Sequence, residues 1–439
     1  MSIWTDLNLT DNPYGSDALQ ASAEGASLLV GRDREVTALT LQLENTTLHP
    51  TVEGLNGVGK TSLVFVTCYF AMERFKARES DQLFLPMRKP LEIHGDFAAL
   101  ERSVYQEIAQ SLLLHRDFLQ QCGRYSPALD SLPSWLNTPI LRSGGGGIGG
   151  LQLNVTNEAN ASAGFEESGF RLLVETALAE LFPTSARGAL VGIFDNMELL
   201  GKSSVAQAAL ERLRDGVLGL TGIRWVLCGS RGIVRASISS QRLTGKIASP
   251  IELGPIPDDK IDDLVNARLA HYSAGNPNGV PVQAAEFAHL YAVTNANLRD
   301  TLKYAQNFTV WLAMQGELDR PRQDFLPLLE AWLAEEAALI NESIRLQPRQ
   351  WKMFDDLSAA GGSCAPGDFA DFGFNSLQAM RTCLVHIERA HLIDAEIDED
   401  DRRRRTVSLS SKGWLVRYAR SKFEDGAQLN TPTTTSNEK

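Results

Sequence analysis

Short apolar runs bounded by polar residues recur through the first 255 residues, and longer stretches with helical spacing of their apolar positions separate them. The helical stretches include about Gly31–Leu43, Leu63–Ala77 and Ser204–Leu218. Short strands that alternate with helices are typical of βαβ units, in which a parallel sheet is covered on both faces. The pattern therefore predicts an α/β domain over residues 31–255. Its strands are expected at about Thr51–Glu53, Pro90–His94, Ala189–Phe194, Ile223–Cys228 and Ile251–Leu253.

The pattern after Pro255 is helical and predicts an all-α lid over residues 256–345. Its helices are expected at about Asp258–Tyr272, Val282–Val293, Leu298–Gln315 and Pro327–Asn341. A third unit follows over residues 346–421, in the order helix, short helix, helix, strand, strand and closing helix, which is typical of a winged helix. These elements are expected at Pro348–Ala360, Pro366–Phe372, Ser376–Ala390, Leu392–Ile397, Thr406–Ser410 and from Lys412 onward.

Two terminal segments lie outside these domains, and one insertion lies within the α/β domain. Residues 1–30 are expected to form an extended approach segment. A glycine-rich stretch followed by alternating apolar residues, about 143–165, indicates a flexible or hairpin insertion in the α/β domain. The last residues, 422–439, are rich in Thr, Asn and Ser and are predicted to be a disordered tail.

Charge and cysteine content exclude several classes of protein. The 439 residues include 42 Lys and Arg and 54 Asp and Glu, a net charge of −12. Any contact with nucleic acid is therefore expected to be local. The five cysteines include no CxxC pair, and the N-terminus has no apolar signal sequence. We expect a cytoplasmic protein with no membrane span and, since no histidines have metal-ligand spacing, no catalytic metal beyond Mg²⁺.

The strongest motif is a glycine-rich loop between the first strand and a long helix, matching G-x-x-x-x-G-K-[ST]. In such a loop, backbone N–H groups turn towards phosphate oxygens, and the N-terminus of the helix adds its positive end. The lysine reaches the β- and γ-phosphates, and the first hydroxyl ligates Mg²⁺. The motif therefore predicts a site for ATP or ADP and Mg²⁺. Its residues are Gly54, Leu55, Asn56, Gly57, Val58, Gly59, Lys60, Thr61 and Ser62.

A carboxylate that complements this loop is expected at Asp195, where the apolar strand Ala189–Phe194 ends. Asp195 can hold Mg²⁺ through water opposite Thr61. A second polar site is expected at the end of the next strand, at Ser230 or Arg231. Ligands of open α/β sheets bind at the carboxyl ends of the strands, so these side chains would point towards the γ-phosphate.

Taken in order, these motifs resemble the AAA+/STAND superfamily of ATPases, and especially its origin-recognition-initiator-like branch, over about residues 11–420. Arg224–Arg231 resembles the sensor-1 strand, and Ile251–Pro255 resembles the GxP-like element of STAND ATPases. Thr294–Arg299 resembles the start of the sensor-2 helix. The N-terminal adenine-side motif is similar to Asn12, Pro13 and Tyr14 together with Gly31, Arg32, Asp33, Arg34 and Glu35.

The resemblance implies roles for three arginines. Arg299 would report phosphate loss by moving the lid, although the same residue would serve equally as a helix-surface arginine. Arg242 lies where ring-forming relatives place an arginine finger acting on a neighbouring subunit, and Arg235 competes for that role.

The chain departs from the family pattern directly after Asp195. The next residue is Asn196, where many P-loop ATPases place a glutamate that activates water. Glu198 is the nearest carboxylate and would act either as that base or only as a charge at the start of a helix. Hydrolysis is therefore expected to be slow, whereas nucleotide binding is unaffected.

The third unit resembles the winged helix of MarR-type regulators and suggests contact with double-stranded DNA. Between Leu346 and Arg420, eleven basic residues are balanced by eleven acidic ones, so the unit is neutral rather than strongly basic. Protein contact is therefore an open alternative. A DNA-binding mode would present Asn375, Ser376, Gln378, Arg381 and Thr382 to the major groove and Arg402, Arg403, Arg404 and Arg405 to phosphates or the minor groove.

Two functional hypotheses follow. In the first, the chain is an ATP-binding and ATP-hydrolysing switch whose nucleotide state controls DNA binding or remodelling. In the second, it is a STAND-like regulatory scaffold that controls a separately encoded effector protein, in phage defence or a mobile element. The resemblance implies a homo-oligomer or a complex with that effector.

Overall fold

The computed structural model describes residues 2–93, 95–137, 169–197, 203–230, 234–235, 238, 240–275, 279–364, 366–397 and 405–429. The predicted insertion at 143–165 lies outside these residues. The described residues form two compact units. The sheet unit comprises Leu19–Leu55 and Lys60–Leu253, and the helical unit comprises the residues up to Ala18, Asn56–Gly59 and those from Gly254 onward.

The sheet unit is built on parallel strands, which confirms the predicted α/β class. The strands are β1 (His49–Glu53), β2 (Leu83–Pro86), β3 (Leu91–Glu92), β4 (Gly188–Asp195), β5 (Ile223–Gly229) and β6 (Ile247–Glu252). Their order in the sheet is β2-β4-β5-β1-β6, and β3 also pairs with β4. All pairings are parallel.

The edge of the sheet beside β4 differs from the prediction. The expected strand at Pro90–His94 is only the two residues of β3, and the strand β2, which the sequence pattern did not predict, precedes it. Both pieces run along β4, with Leu83 opposite Gly188 and Glu92 opposite Asp195. A run as short as Leu83–Pro86 does not carry enough periodicity to identify it as a strand.

Helices cover the sheet, and several of them were not predicted. The expected helices appear as α3 (Asp33–Asn45), α4 (Lys60–Lys76) and α9 (Ser203–Leu213). The additional helices contribute much of the buried core through residues such as Val104 and Leu178. They are α2 (Ala23–Leu28), α5 (Phe97–Leu114), α6 (Arg116–Gln121), α7 (Ala128–Asn137) and α8 (Phe170–Leu181).

The core beside β4 is packed around an aromatic pair. The rings of Phe194 and Trp225 stack with their centroids 4.4 Å apart. Trp225 Nε1 donates a hydrogen bond of 2.9 Å to Val217 O, which fixes the indole. Gly192 lies against this ring: a Cβ added there would be 2.3 Å from Trp225 Cζ3 and 2.7 Å from Met87 Sδ.

Replacing Gly192 by alanine is expected to destabilise the chain by about 1–3 kcal/mol, because the added methyl group overpacks a core that cannot yield. Thermal unfolding measures the change. Gly95→Ala is the matched control, since a Cβ at Gly95 meets no atom within 4 Å. An unchanged melting temperature for Gly192→Ala would contradict the packing described above.

The helical unit contains the predicted all-α lid. Its helices are α10 (Ile261–His271), α11 (Ala284–Val293), α12 (Leu298–Gln315) and α13 (Phe325–Ser343). The first helix of the chain, α1 (Ile3–Asp6), also belongs to this unit. The expectation of an extended segment over residues 1–30 is therefore wrong at α1 and α2, both of which begin with a serine N-cap.

The C-terminal part contains helices and a small antiparallel sheet, and its assignment as a winged helix stays a prediction. Its antiparallel sheet has the order β7-β9-β8. The predicted short helix at Pro366–Phe372 is a 3₁₀ turn, Pro366–Asp368, and β7 was not predicted. The elements are α14 (Pro348–Ala359), β7 (Ser363–Cys364), α15 (Leu377–Arg389), β8 (Ile393–Ile397), β9 (Arg405–Leu409) and α16 (Ser411–Leu429).

Helix α16 corrects the prediction of a disordered tail from residue 422. The helix includes residues 422–429, where Ala427, Gln428 and Leu429 favour helical backbone. The rest of the predicted tail lies outside the described residues. In the described part of the chain, no helix is both long enough and apolar enough to span a bilayer.

Candidate nucleotide site

The lysine of the glycine-rich loop is buried against the backbone of the loop's own first residues. Lys60, the first residue of α4, is 6% exposed. Its Nζ donates hydrogen bonds of 2.8 Å to Gly54 O and 3.2 Å to Leu55 O. Gly54 N in turn donates to Gly229 O, at 3.1 Å, which ties the start of the loop to the end of β5. The ammonium group therefore lies at the carboxyl edge of the sheet, where α/β sheets bind ligands.

Two glycines of the loop have backbone angles that favour glycine. The φ angles of Gly57 and Gly59 are +85° and +98°. Side chains other than glycine rarely adopt these values, and the turn they allow can direct consecutive N–H groups to one side. The pattern of glycines in the motif is thus explained by the conformation of the loop.

Thr61 and Asp195 meet as the motif predicts. Thr61 Oγ1 donates a hydrogen bond of 2.5 Å to Asp195 Oδ2. The other carboxylate oxygen, Oδ1, accepts from Asn196 N at 2.9 Å. A hydroxyl and a carboxylate are oxygen ligands of the kind Mg²⁺ prefers. Among the described residues, no group of three or more His, Cys, Asp or Glu could hold a metal ion.

Ser62 has a role that the sequence did not indicate. It is 8% exposed, and its Oγ accepts a hydrogen bond of 3.0 Å from Leu19 N. Its hydroxyl therefore holds the chain segment that precedes α2. Any contact of Ser62 with a nucleotide stays a prediction and would involve its backbone.

Of the polar residues predicted near the end of β5, the structure describes only some. Ser230 directly follows β5, next to β4 as predicted, and is 3% exposed. Arg231, like Glu198, lies outside the described residues. Arg235 is bound within the unit, because its N donates to Glu53 Oε1 at 2.7 Å and its Nη2 to Glu252 Oε1 at 2.8 Å.

Arg242 differs from Arg235 in its surroundings. Its side chain is 73% exposed and lies 3.6 Å from a carboxylate oxygen of Glu211. An exposed ion pair of this kind contributes little energy. Of the two arginine-finger candidates, Arg242 is thus the more available to a neighbouring molecule, and its role stays a prediction.

The tip of the glycine-rich loop contacts the start of the predicted sensor-2 helix, α12. Arg299 N donates to Gly57 O at 3.2 Å, and Asn297 Nδ2 donates to Asn56 O at 3.1 Å. Asn297 also caps α12 through Asp300 N. The Arg299 side chain is exposed, and no described residue forms an ion pair with it. This arrangement leaves its guanidinium group available to an anion.

The predicted adenine-side motif has a structural role. Tyr14 is fully buried, its hydroxyl donates to Val282 O, and burial raises its pKa. Arg268 Nη1 donates to Pro13 O at 3.0 Å, and Asn12 Nδ2 donates to Gln306 Oε1 at 2.9 Å. The Tyr14 ring is therefore not available for stacking on a base, which corrects its assignment as a nucleotide contact.

Two other predicted nucleotide contacts differ in exposure. Pro255 is exposed, after β6, whereas Val58 is only 3% exposed. Their contacts with a nucleotide stay predictions.

Five of the residues predicted to contact DNA lie within α15 or directly before it. Ser376 caps the helix by accepting a hydrogen bond of 3.2 Å from Ala379 N. Arg402, Arg403 and Arg404 lie outside the described residues, and Arg405 begins β9. The exposed residues are Asn375, Ser376, Gln378, Arg381 and Thr382.

One residue near Asp195 escaped the sequence analysis. Glu92 ends β3 and lies opposite Asp195 in the parallel register. Its Oε1 accepts a hydrogen bond of 2.8 Å from Asn196 Nδ2. The predicted strand over Pro90–His94 already contained Glu92, but the sequence does not reveal which strand pairs with β4.

No protein-family model matches the sequence, and no curated protein matches it. Solved structures do align with it. The Aeropyrum pernix ORC2 protein in its ADP form has 12% identity and a TM-score of 0.46, over 97% of this chain and 100% of that chain. The Aeropyrum pernix ORC1 protein in complex with DNA has 15% identity and a TM-score of 0.42, over 91% and 94%. Cdc6p from Pyrobaculum aerophilum has 14% identity and a TM-score of 0.40, over 95% and 99%.

Proposed function

We propose that the chain binds ATP with Mg²⁺ and hydrolyses it, and that the nucleotide acts as a switch. The observation that carries this proposal is the hydrogen bond between Thr61 and Asp195, next to the buried Lys60 ammonium at the carboxyl edge of the sheet. A metal-binding hydroxyl, a carboxylate and a phosphate-binding lysine occur here together, and these are the functional groups that P-loop ATPases use for phosphoryl transfer.

Each residue of the proposed site has a separate role in binding the nucleotide. Lys60 exchanges its bonds to the Gly54 and Leu55 carbonyls for bonds to the β- and γ-phosphates. Thr61 and Asp195 hold Mg²⁺, which supplies positive charge to the phosphate oxygens when it is bound. A role for Arg299 in reporting the γ-phosphate stays a prediction from the resemblance.

The direct test is a calorimetric titration of the whole chain with ATP, in Mg²⁺ and in excess chelator. Binding that weakens when Mg²⁺ is removed is the expected result, because Thr61 and Asp195 then lose the ion that links them to the nucleotide. No heat of binding in either condition would contradict the proposal.

A second part of the proposal is that the nucleotide state controls duplex DNA binding through α15. Its supporting observation is the set of exposed polar side chains on α15, which is the helix that a winged helix presents to DNA. The C-terminal part also contacts the lid within the helical unit. Ser411 Oγ donates to Asp300 Oδ2, and His289 Nε2 lies 2.9 Å from Tyr418 Oη. Asp300 follows Arg299, so the proposed phosphate sensor adjoins this contact.

Replacing Arg381 by alanine is expected to weaken duplex binding by about tenfold, because base or phosphate contacts of one arginine are typically worth about 1–3 kcal/mol. Fluorescence anisotropy at several salt concentrations, with and without ATP, measures the effect. The control is Lys303→Ala, which removes an exposed positive charge from the lid helix α12. Equal losses for the two variants would indicate non-specific electrostatic attraction and contradict the α15 interface.

The regulatory scaffold is the competing function for the same nucleotide site. It predicts that ATP drives self-association, or association with a separate effector protein, without duplex binding. Sedimentation of the chain with ATP and with ADP, combined with duplex titration in low salt, separates the two functions. Association without DNA affinity would replace the DNA proposal by the scaffold. No change in either assay would remove both.

A further inference from the structure

The ends of β3 and β4 bring a carboxylate beside the proposed ATP site. β3 pairs with β4 so that Leu91 lies opposite Phe194 and Glu92 opposite Asp195. Both strands are parallel and end at the same edge of the sheet. Glu92 is therefore a neighbour, across strands, of the aspartate that contacts Thr61.

Asn196 fixes the position of this carboxylate. Its Nδ2 donates the 2.8 Å hydrogen bond to Glu92 Oε1, and its N donates to Asp195 Oδ1. Asn196 has a positive φ of 54°, which turns the chain directly after β4. A carboxamide cannot take a proton from water at neutral pH, but it can orient a carboxylate that does.

The other described carboxylates near the site are already engaged. Both oxygens of Asp195 accept hydrogen bonds, from Thr61 and from Asn196. Glu53, at the end of β1, is 1% exposed: its Oε1 accepts a hydrogen bond from Arg235 N, and its Oε2 has no hydrogen bond but lies 3.5 Å from Arg235 Nη2 in an ion pair. Glu92 differs from both because it is exposed and forms no ion pair with any described lysine or arginine.

We propose that Glu92 is the general base of ATP hydrolysis in this chain and that Asn196 is its positioning residue. The functional glutamate thus comes from β3, and an asparagine occupies the position after the β4 aspartate. This inference rests on the proposed ATPase function and adds the group that takes the proton.

The step balances without a further reactant. The oxygen of a water molecule forms a bond to the γ-phosphorus as one of its protons passes to the Glu92 carboxylate. The bond between the γ-phosphorus and the β–γ bridging oxygen breaks, and its electron pair leaves with ADP. Glu92 then releases the proton to solvent, and the products are ADP, inorganic phosphate and one proton.

The test compares Glu92→Gln with the whole wild-type chain. ATP affinity, measured by calorimetry, is expected to stay within about threefold, while the single-turnover hydrolysis rate falls at least about 100-fold, the usual contribution of a general base. Asn196→Ala is expected to lower kcat by a smaller factor with KM unchanged, because the base remains but is no longer oriented. Glu79→Gln, at an exposed glutamate elsewhere in the sheet unit, should leave both quantities unchanged.

Three results would overturn the assignment. The first is a Glu92→Gln variant that hydrolyses ATP at the wild-type rate. The second is a Glu198→Gln variant that loses hydrolysis while Glu92→Gln retains it. The third is a wild-type chain that binds ATP without measurable turnover, which would leave the nucleotide-binding proposal intact. Failure of ATP to bind at all would instead remove the proposed function itself, so the two failures are distinguishable.

Discussion

Lys60→Ala is expected to bind ATP about 100-fold more weakly than the wild-type chain. The ammonium group is buried and donates to two carbonyl oxygens of the loop, so it is already directed to the turn that would enclose the phosphates. Hydrogen bonds to charged groups contribute about 1.5–3 kcal/mol each, and about 1.4 kcal/mol corresponds to a tenfold change in affinity. Titration calorimetry with ATP and Mg²⁺ measures the loss.

Lys76→Ala is the matched control for this variant. Lys76 ends the same helix, α4, but its side chain is 46% exposed and forms an ion pair with Glu73. Its removal should leave ATP affinity unchanged. A dissociation constant for Lys60→Ala within threefold of the wild-type value would show that the loop does not hold the nucleotide as proposed.

A second large effect is expected from pH, through His49 in β1. His49 Nε2 donates to Leu218 O at 2.8 Å, and Nδ1 accepts from Trp225 N at 3.2 Å, so both nitrogens of the neutral ring are satisfied. Burial lowers the pKa of His49 to about 4, and Arg224 and Lys246 also lower it, against the effect of the bond to Leu218.

The sign of the effect follows from the two states of His49. In the unfolded chain the pKa of His49 is about 6.5. Between about pH 6.5 and pH 4 its imidazole is therefore protonated in the unfolded state but neutral in the folded state. The free energy of unfolding therefore falls as the pH decreases from about 6.5 to 4. The full loss is about 3 kcal/mol, at about 1.36 kcal/mol per pKa unit.

His49→Gln provides the comparison because glutamine does not titrate. Urea unfolding of both proteins at pH 7 and at pH 4 is expected to show a smaller pH-dependent loss for the variant. The carboxylates titrate equally in both proteins, and so does His115, whose pKa is also lowered by burial. Their contributions to the pH-dependent loss of stability therefore cancel when the two proteins are compared. Parallel pH profiles would mean that His49 is not buried in its neutral form.

The parts of the site that could be predicted are those that lie close together in sequence. The glycine-rich loop and Lys60 form one contiguous motif, and their geometry follows from the glycines and the start of α4. Asp195 was predicted because an apolar strand that ends in a carboxylate lies downstream of the loop in the same α/β pattern, and the structure joins Asp195 to Thr61 by a hydrogen bond.

The parts that could not be predicted depend on pairing between distant segments. Glu92 lies 103 positions before Asp195 in the sequence, and only the register of β3 on β4 brings them together. The structural role of Tyr14 was missed for a similar reason. Its motif resembles a nucleotide contact, but the partner that decides its role, Val282, is 268 residues away.

The helices α5–α8 escaped prediction because they lie in a region where no chemical motif marks element boundaries. Helix α5 is capped by Asp96, whose side chain accepts a hydrogen bond from Ala99 N. Its buried positions include Leu100, Val104 and Ile108, which repeat every four residues. This spacing is typical of a helix with one buried face.

The interruption between β2 and β3 has a consequence for solubility. A continuous outer strand would offer its free amides and carbonyls to another chain and invite aggregation. Here the two short pieces are separated by Met87, Arg88, Lys89 and Pro90. Proline has no N–H to donate, Met87 N donates to Val191 O at 2.8 Å, and Arg88 N donates to Ser111 Oγ at 3.0 Å. This border of the sheet is thus poorly suited to strand addition, and any assembly on that side of the molecule would have to rely on side chains.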